Sequence, residues 1–279
     1  MERLEVREFL KKIEKLPTLP GIAMKIIQTA NNPKSAADDL SRIILSDLSL
    51  SAKVLKMVNS AYYGIRNKVA SVKQAIVILG FNTIKSLALS TAIMDKFGTT
   101  GSIDGFSRGA FWKHSLGVGI TNRILAKRIV KQKDMEENYF MAGLLHDIGK
   151  VILDEYFHDD FLNVINHMKV TGKSFYRAEM DVNGLSHAEI GGMLAGQWQL
   201  PEELVAAIRF HHTPENRTEH ATLICATHFS NILAKTKNFG SGGDNDISEL
   251  VESCINALGL AEEDIAQIVG VEMDAEYAK

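Results

Sequence analysis

Six side chains that can bind metal occur in an order that suits a site built from several helices. They are His114, the dipeptide His146-Asp147, His187 and the pair His211-His212. Imidazole and carboxylate groups are good ligands for iron, manganese and zinc. A carboxylate at a helix end, such as that of Asp147, can bridge two neighbouring ions. The order therefore predicts a site for one or two divalent transition metals (Fe, Mn or Zn) in a helical fold.

The spacing of apolar residues predicts helices along most of the chain. Leu50, Val54, Leu55 and Val58 recur at intervals of three and four, as on one face of a helix. Similar patterns predict further helices over 20–31, 108–131, 136–157 (broken near Gly149), 160–171, 174–180, 186–197, 201–212 and 218–236. Strong alternation typical of strands does not occur, so we expect an all-α fold.

A run of Gly, Ser and Thr at 98–105 predicts a linker between two helical lobes. We expect an N-terminal lobe over residues 1–97 and a C-terminal lobe over residues 106–279, which ends in an acidic tail. A second Gly-rich stretch, 238–248, predicts a flexible loop. It lacks the Gly-Lys-Ser/Thr ending that a phosphate-binding P-loop requires.

Hydrophobic residues make up 46% of the chain, yet no apolar run reaches the length of a membrane span. The N-terminus also lacks a signal-peptide hydrophobic block, so we expect a cytoplasmic protein. Its two cysteines, Cys225 and Cys254, lie in apolar stretches of helical pattern. We expect them to be buried thiols in a reducing compartment, without a disulfide.

The net charge of −3 hides an asymmetry along the chain. Residues 1–97 carry 15 Lys/Arg and 8 Asp/Glu, whereas residues 244–279 carry 1 and 10. One interpretation is ordinary solvated faces and an acidic tail. The other is that the basic lobe meets an acidic partner, a nucleotide or this tail. DNA binding is not expected, because no recognition face rich in Arg and Lys is evident.

Two stretches of the chain resemble a known family. The N-terminal run that begins "LPTLPGIAMKIIQTANNP" and contains "NSAYYG" closely resembles the first half of HDOD domains. "LLHDIGKVIL" and "LSHAEIGGMLAGQWQLPEELVAAIRFHH" resemble their second half, which is similar to the HD superfamily of metal-dependent phosphohydrolases. The resemblance covers roughly residues 10–270. It implies a helical bacterial protein tied to signalling, in a family where few members have a known activity.

The resemblance also implies roles for particular residues. By similarity to HD-GYP enzymes, the ligand positions hold His114, His146, Asp147, His187, His211 and His212. Lys150 occupies the place where that family has a cation that contacts phosphate, which is reasonable for an ammonium group. The implied catalytic residues are thus Asp147, through the metal, and Lys150.

The chain departs from this pattern at the last ligand. The family has an Asp in a segment like "H-x-A-D-x-L-A", and the matching "HFSNILA" puts Asn231 there. An amide oxygen brings no charge, so the site should bind metal less tightly and lower the pKa of bound water less. His228, one helical turn earlier, could compensate in part. The GYP tripeptide is absent after the HH pair, where "HHTPEN" stands instead.

Each interpretation has a simpler alternative. A single helical histidine is more often structural than a ligand, and His158, His167 and His220 lie outside the pattern and are expected at the surface. Lys150 could instead cap a helix or form a surface ion pair. The NSAYYG run could line a ligand pocket, or be a helix end at which Gly64 is the left-handed cap.

These observations predict a regulatory signalling protein with protein partners, a residual metal site and weak or no catalysis. The alternative is a metal-dependent phosphohydrolase or phosphodiesterase acting on a nucleotide or cyclic dinucleotide. A phosphate or nucleotide ligand is compatible with both.

Overall fold

A computed structural model describes residues 19–32, 34–103, 105–130, 135–216, 218–244, 246–247 and 250–278. Its regular structure is helical apart from one very short hairpin, which confirms the expected all-α class. Contacts divide the chain into two compact units, one containing residues 19–98 and the other residues 99–273. In the described ranges no helix is both long enough and apolar enough to cross a bilayer.

The smaller unit is built from five helices: α1 (Gly21–Asn31), α2 (Ala37–Leu45), α3 (Leu48–Val58), α4 (Val72–Leu79) and α5 (Phe81–Phe97). The predicted apolar face of α3 is largely correct, since Leu50, Val54 and Val58 are buried while Leu55 is half-buried. Helix α2 begins after Ala36, and the Asp39 carboxylate accepts the Ala36 N–H at 2.9 Å.

The NSAYYG run ends α3 and begins the turn that follows it. Asn59 accepts the Val69 N–H at 2.8 Å and donates to the Val69 and Leu55 carbonyls at 2.9 and 2.8 Å. A 3-10 turn, Ala61–Tyr63, leads to Gly64, whose φ of 60° is left-handed as predicted. These bonds give Asn59 a structural role at this corner.

The larger unit begins with the hairpin of β1 (Ser102–Ile103) and β2 (Phe106–Ser107), which pair antiparallel with Ile103 opposite Phe106. Part of the predicted linker therefore belongs to a β-hairpin. The helices that follow are α6 (Arg108–Ile129), α7 (Glu136–Leu145), α8 (Ile148–Tyr156), α9 (His158–Thr171), α10 (Phe175–Asn183), α11 (His187–Gln197), α12 (Glu202–Phe210), α13 (Ala221–Thr236), α14 (Glu252–Leu258) and α15 (Glu262–Gln267). The last helix, α16 (Met273–Tyr277), starts where this unit ends, and its residues from Asp274 on group with the smaller unit. A π-helical turn, Ile268–Glu272, joins the last two.

Helices α6 and α7 touch backbone to backbone where two glycines face each other. A Cβ on Gly143 would lie only 2.7 Å from the Cα and N of Gly119, so a side chain at Gly143 would force the two helices apart. This close approach brings His114 of α6 near His146, which follows α7, with 5.5 Å between ring centroids.

The cysteine prediction is wrong on pairing. Cys225 and Cys254 are both buried as expected, but they form a disulfide that joins α13 to α14. The two residues are 29 positions apart, and their Cα atoms lie 4.9 Å apart, within the range that a disulfide spans. Composition and spacing could not reveal this contact, because it depends on how α14 packs on α13.

Candidate metal centre

The His146-Asp147 dipeptide lies in the break between two helices. Helix α7 ends at Leu145 and α8 begins at Ile148, so the break precedes the position predicted near Gly149. His146 Nδ1 lies 2.7 Å from the Gly143 carbonyl. A carbonyl can only accept, so Nδ1 carries the proton and Nε2 presents a lone pair to the interior.

The start of α8 is pressed against the start of α11. A Cβ on Gly149 would lie 2.0 Å from the His187 carbonyl oxygen, so only glycine fits there. This contact places His187 Nε2 2.9 Å from Asp147 Oδ1. Gly149, which lies two residues after Asp147, therefore helps to assemble the site by allowing α8 and α11 to approach this closely.

The Asp147 carboxylate stands at the centre of the cluster and is fully buried. Its Oδ1 lies 3.5 Å from His211 Nε2, and its Oδ2 lies 3.3 Å from His146 Nε2. His211 Nδ1 lies 2.8 Å from the Ile208 carbonyl, so this ring also directs the lone pair of Nε2 inward. Asp147 thus faces histidines from α11 and α12 and the histidine that precedes it.

The donor atoms form two groups that share Asp147. Asp147, His187, His211 and His212 each offer an atom within 4.8 Å of the others, and so do His114, His146 and Asp147. Across the part of the chain that the structure describes, His146 Nε2 and His211 Nε2 are buried with no partner in hydrogen-bonding geometry, and the close contact of buried Asp147 Oδ1 with His187 Nε2 at 2.9 Å is an ion pair outside that geometry. Buried polar atoms left in this way are costly. Divalent cations in the two groups would satisfy all three, so the residues present fit a metal.

Asn231 contacts the second group through a hydrogen bond to His114. Its Oδ1 lies 3.0 Å from His114 Nε2, and an amide oxygen accepts, so that nitrogen carries the proton. His114 therefore directs an N–H toward Asn231. The group of His114, His146 and Asp147 has three donor residues rather than four, and one of its imidazole nitrogens is engaged by Asn231, so it is the poorer metal site of the two.

Burial keeps several of these histidines neutral. It lowers the pKa of His114 and of His211 to about 3, and it lowers the pKa of His212 well below the usual range. Burial also opposes charge on Asp147, but the His146, Lys150 and His187 groups outweigh it and hold its pKa well below normal. A neutral imidazole and an ionised carboxylate are the forms that bind metal.

His187 differs from these histidines in that its pKa is raised. Its Nδ1 contacts a carboxylate, Glu179, that the sequence analysis did not identify. Glu179 of α10 is buried, and its Oε2 lies 2.5 Å from His187 Nδ1 and 3.0 Å from the His187 backbone N. Burial disfavours the imidazolium, yet Glu179 and Asp147 outweigh burial and raise the His187 pKa. A carboxylate behind a ligand histidine fixes its tautomer and orientation.

A sequence signal for Glu179 did exist. Phe175, Ala178 and Glu179 share the buried face of α10, and an acidic residue on an apolar face needs a partner. Tyr176 was also missed. Its ring stacks on His212 at 4.5 Å between centroids, with 22° between planes.

Lys150 is buried beside Asp147. Its Nζ donates to Asp147 Oδ2 at 2.8 Å and to the Gly242 carbonyl at 2.9 Å, and it lies 4.8 Å from the centroid of the Phe175 ring. Burial disfavours its charge, but Asp147 and Asp244 outweigh it and raise the Lys150 pKa. The ion pair considered for Lys150 is therefore present but not at the surface. Contact with phosphate remains a prediction.

The remaining histidines are placed as follows. His228 is buried, and its Nδ1 lies 2.8 Å from the His211 carbonyl, so it supports the backbone of the HH pair. His158 and His220 are exposed and His167 is half-buried, in agreement with their assignment outside the site.

Comparison with curated proteins gives partial matches. A protein of uncharacterised function from Treponema pallidum is 27% identical over 225 residues, which is 80% of this chain and 43% of that protein. Ribonuclease Y of Thermus thermophilus is 32% identical over 115 residues, 41% of this chain and 15% of that protein. The chain thus spans less than half the length of each of these relatives.

Solved structures match over the whole chain. An HDOD domain protein of unknown function from Geobacter sulfurreducens gives a TM-score of 0.83 at 27% identity, covering 99% of this chain and 97% of that one. A candidate phosphohydrolase from Shewanella amazonensis gives 0.72 at 25% identity, covering 96% and 97%. A candidate signal transduction protein from Marinobacter aquaeolei gives 0.77 at 25% identity, covering 100% and 59%.

The family model for the HDOD domain matches residues 16–214, which include residues 19–98 of the smaller unit, the larger unit as far as Pro214 and the candidate ligands from His114 to His212. Asn231 and the Gly-rich segment after it lie beyond the matched range. This match covers well over half of the sequence, and the chain belongs to the HDOD domain family.

Proposed function

We propose that this chain is a regulatory protein of a bacterial signalling pathway that holds a single divalent transition metal. The metal, one of Fe, Mn or Zn, would be bound by Asp147, His187, His211 and His212. The observation that supports this most directly is the set of inward-facing lone pairs without hydrogen-bond partners around Asp147. The bond between Asn231 and His114 favours one ion over two, because it engages a nitrogen that a second ion would need.

The same geometry argues for weak or absent hydrolysis. A bound metal of this kind polarises a phosphoryl oxygen and lowers the pKa of bound water. The chain adds one central carboxylate, Asp147, and the neutral amide of Asn231 where a second carboxylate would stand. Lys150 holds its proton between Asp147 and Gly242, so it offers charge to a ligand but no acid or base at neutral pH.

In this proposal the output is binding rather than turnover. The site would sense a metal or a phosphate-bearing ligand, and protein partners would read the resulting state.

The second candidate is a metal-dependent phosphohydrolase or phosphodiesterase acting on a nucleotide or cyclic dinucleotide. The observation that favours it is Lys150, a buried ammonium group 2.8 Å from the Asp147 carboxylate. From this position its positive charge would stabilise a phosphate group bound beside the metal. The likeness to a candidate phosphohydrolase and, over part of the chain, to ribonuclease Y supports the same class.

Metal content of the purified protein, before and after loading with Fe, Mn or Zn, tests the proposal. We expect close to one ion per chain, lost in His211→Ala and retained in His158→Ala, which removes an exposed histidine of the same unit. No bound metal after loading would refute the proposal.

A phosphodiesterase assay on the loaded protein, beside Asp147→Ala, separates the two candidates. We expect little hydrolysis of cyclic dinucleotides or simple phosphoesters. Robust turnover that Asp147→Ala abolishes would establish the enzyme instead.

A further inference from the structure

A glycine-rich segment lies directly over the candidate metal centre. We call residues 240–244, with sequence Gly-Ser-Gly-Gly-Asp, the strap. The Ser241 N–H donates to the Ala110 carbonyl of α6 at 3.0 Å, and the Gly242 carbonyl accepts from Lys150 Nζ at 2.9 Å. Gly242 is buried. The segment that sequence analysis predicted to be a flexible loop is therefore in contact with the site.

The far end of the strap is fixed by one carboxylate. Asp244 Oδ2 accepts the Phe175 N–H at 2.9 Å, and Asp244 Oδ1 forms an ion pair with Lys235 of α13. The Asp244 side chain is only 7% exposed. Burial would raise the pKa of Asp244, but the charges of Lys150 and Lys235 outweigh burial and lower it. The carboxylate therefore stays ionised and keeps its ion pair with Lys235.

The strap fills the space in front of His114 and Asp147. A Cβ on Gly242 would lie 3.1 Å from Asp147 Oδ2 and 3.4 Å from His114 Nε2. A Cβ on Gly240 would lie 2.3 Å from the backbone N of His114, and Gly240 has a φ of +78°. Only glycines allow the chain to approach this closely. An incoming ligand and the seated strap cannot both occupy this space.

We propose that the strap is an internal competitor that closes the site to phosphate. The Gly242 carbonyl takes the hydrogen bond from Lys150 that a phosphate oxygen would take, and its backbone fills the space that the phosphate would enter. Phosphate binds only when residues 240–244 lift away from α6. This inference rests on the proposed function only in treating Lys150 and Asp147 as part of one ligand site.

The chain can release the strap without unfolding a helix. Its anchors include the hydrogen bonds of Ser241, Gly242 and Asp244 and the ion pair of Asp244 with Lys235. It lies between the end of α13 at Thr236 and the start of α14 at Glu252. Connecting segments open locally more easily than the packed helices of a core. Phosphate binding would shift the equilibrium toward the open form by an amount set by its preference for that form.

Gly240→Ala tests this with a matched control. The new methyl group would collide with α6 and should lift the strap. Gly259→Ala places alanine at a similar positive φ of +61° with nothing within 4 Å, so it carries the backbone strain without the collision. Hydrogen exchange at the Ser241 and Phe175 amides reports lifting, and calorimetry with inorganic phosphate reports binding.

We expect Gly240→Ala to speed exchange at both amides and to bind inorganic phosphate at least tenfold more tightly than the native chain, while Gly259→Ala does neither. Phosphate added to the native chain should also speed exchange at Ser241. Asp244→Ala, which frees the far anchor without a collision, should act like Gly240→Ala and serves if that variant does not fold.

Faster exchange without tighter phosphate binding would overturn the proposal, and so would unchanged exchange in both folded variants. Neither readout requires bound metal. A chain that holds no metal but shows gated phosphate binding would refute the proposed metal site alone, and a metal-loaded chain without gating would refute the strap alone.

Discussion

Glu179 offers the sharpest test of how the metal centre is organised. Its carboxylate is buried and lies 2.5 Å from His187 Nδ1 and 3.0 Å from the His187 backbone N. Glu179→Gln keeps the size of the side chain and removes its charge. A hydrogen bond to a charged group contributes about 1.5–3 kcal/mol. Since about 1.4 kcal/mol corresponds to a factor of ten, the variant should bind metal about 10- to 150-fold more weakly.

The pH dependence makes this prediction more specific. Glu179 favours metal on His187, but it also favours a competing proton, because it helps to raise the His187 pKa. Native affinity should therefore fall as pH falls through that raised pKa, and the affinity of Glu179→Gln should fall less. The difference in metal affinity between the native chain and Glu179→Gln is expected to be widest at alkaline pH, where His187 has lost its competing proton in both proteins. It should narrow as the pH falls.

A chelator-competition titration with zinc, repeated across pH, measures this gap. Glu189→Gln is the matched control, since Glu189 is an acidic residue of α11, the helix that carries His187, and caps it by accepting the Ser186 N–H at 3.0 Å. Equal affinities for Glu179→Gln and the native chain at alkaline pH would refute the reasoning. An equal loss in Glu189→Gln would show that helix α11, and not the carboxylate behind His187, is responsible.

Three further predictions concern other parts of the larger unit. Asn231→Asp should tighten metal binding by about 1–3 kcal/mol by restoring a charged ligand, and unchanged affinity in a folded variant by the same titration would contradict this. Asp244→Ala should lower the free energy of unfolding by about 1–3 kcal/mol at pH 7. Because the Asp244 pKa is lowered in the fold, this difference should shrink below its ordinary value of 3.8, as urea unfolding at pH 7 and pH 3 would show. Limited proteolysis should cut within 98–105 before the largely buried 141–153, and early cuts inside 141–153 would refute this domain map.

The positions of the helices could be read from the sequence because helix formation depends on local spacing. The prediction of 108–131 became Arg108–Ile129, and 186–197 became His187–Gln197. The break predicted near Gly149 in 136–157 lies slightly earlier, at His146-Asp147, where the backbone of Asp147 (φ −100°, ψ 9°) leaves the helical conformation.

The set of candidate ligands could also be read from residue types and their order. The structure brings the predicted histidines and Asp147 together into two overlapping groups, and Asn231 contacts one of them. That residue lies at the site as expected, yet it hydrogen-bonds to His114. Which atom an amide presents to a neighbour is decided by packing, so the sequence could not supply it.

The sequence by itself determined the helical class, the family and the set of candidate metal ligands, because periodicity, residue type and order are local properties of the chain. Tertiary structure alone decided the partners of those residues. Glu179 stands behind His187 because α10 packs beside α11, and Cys225 meets Cys254 because α14 packs on α13. Gly242 lies over Asp147 because the chain returns across α6 after α13. Each of these contacts joins distant segments, and the free energy that selects it comes from packing the whole unit.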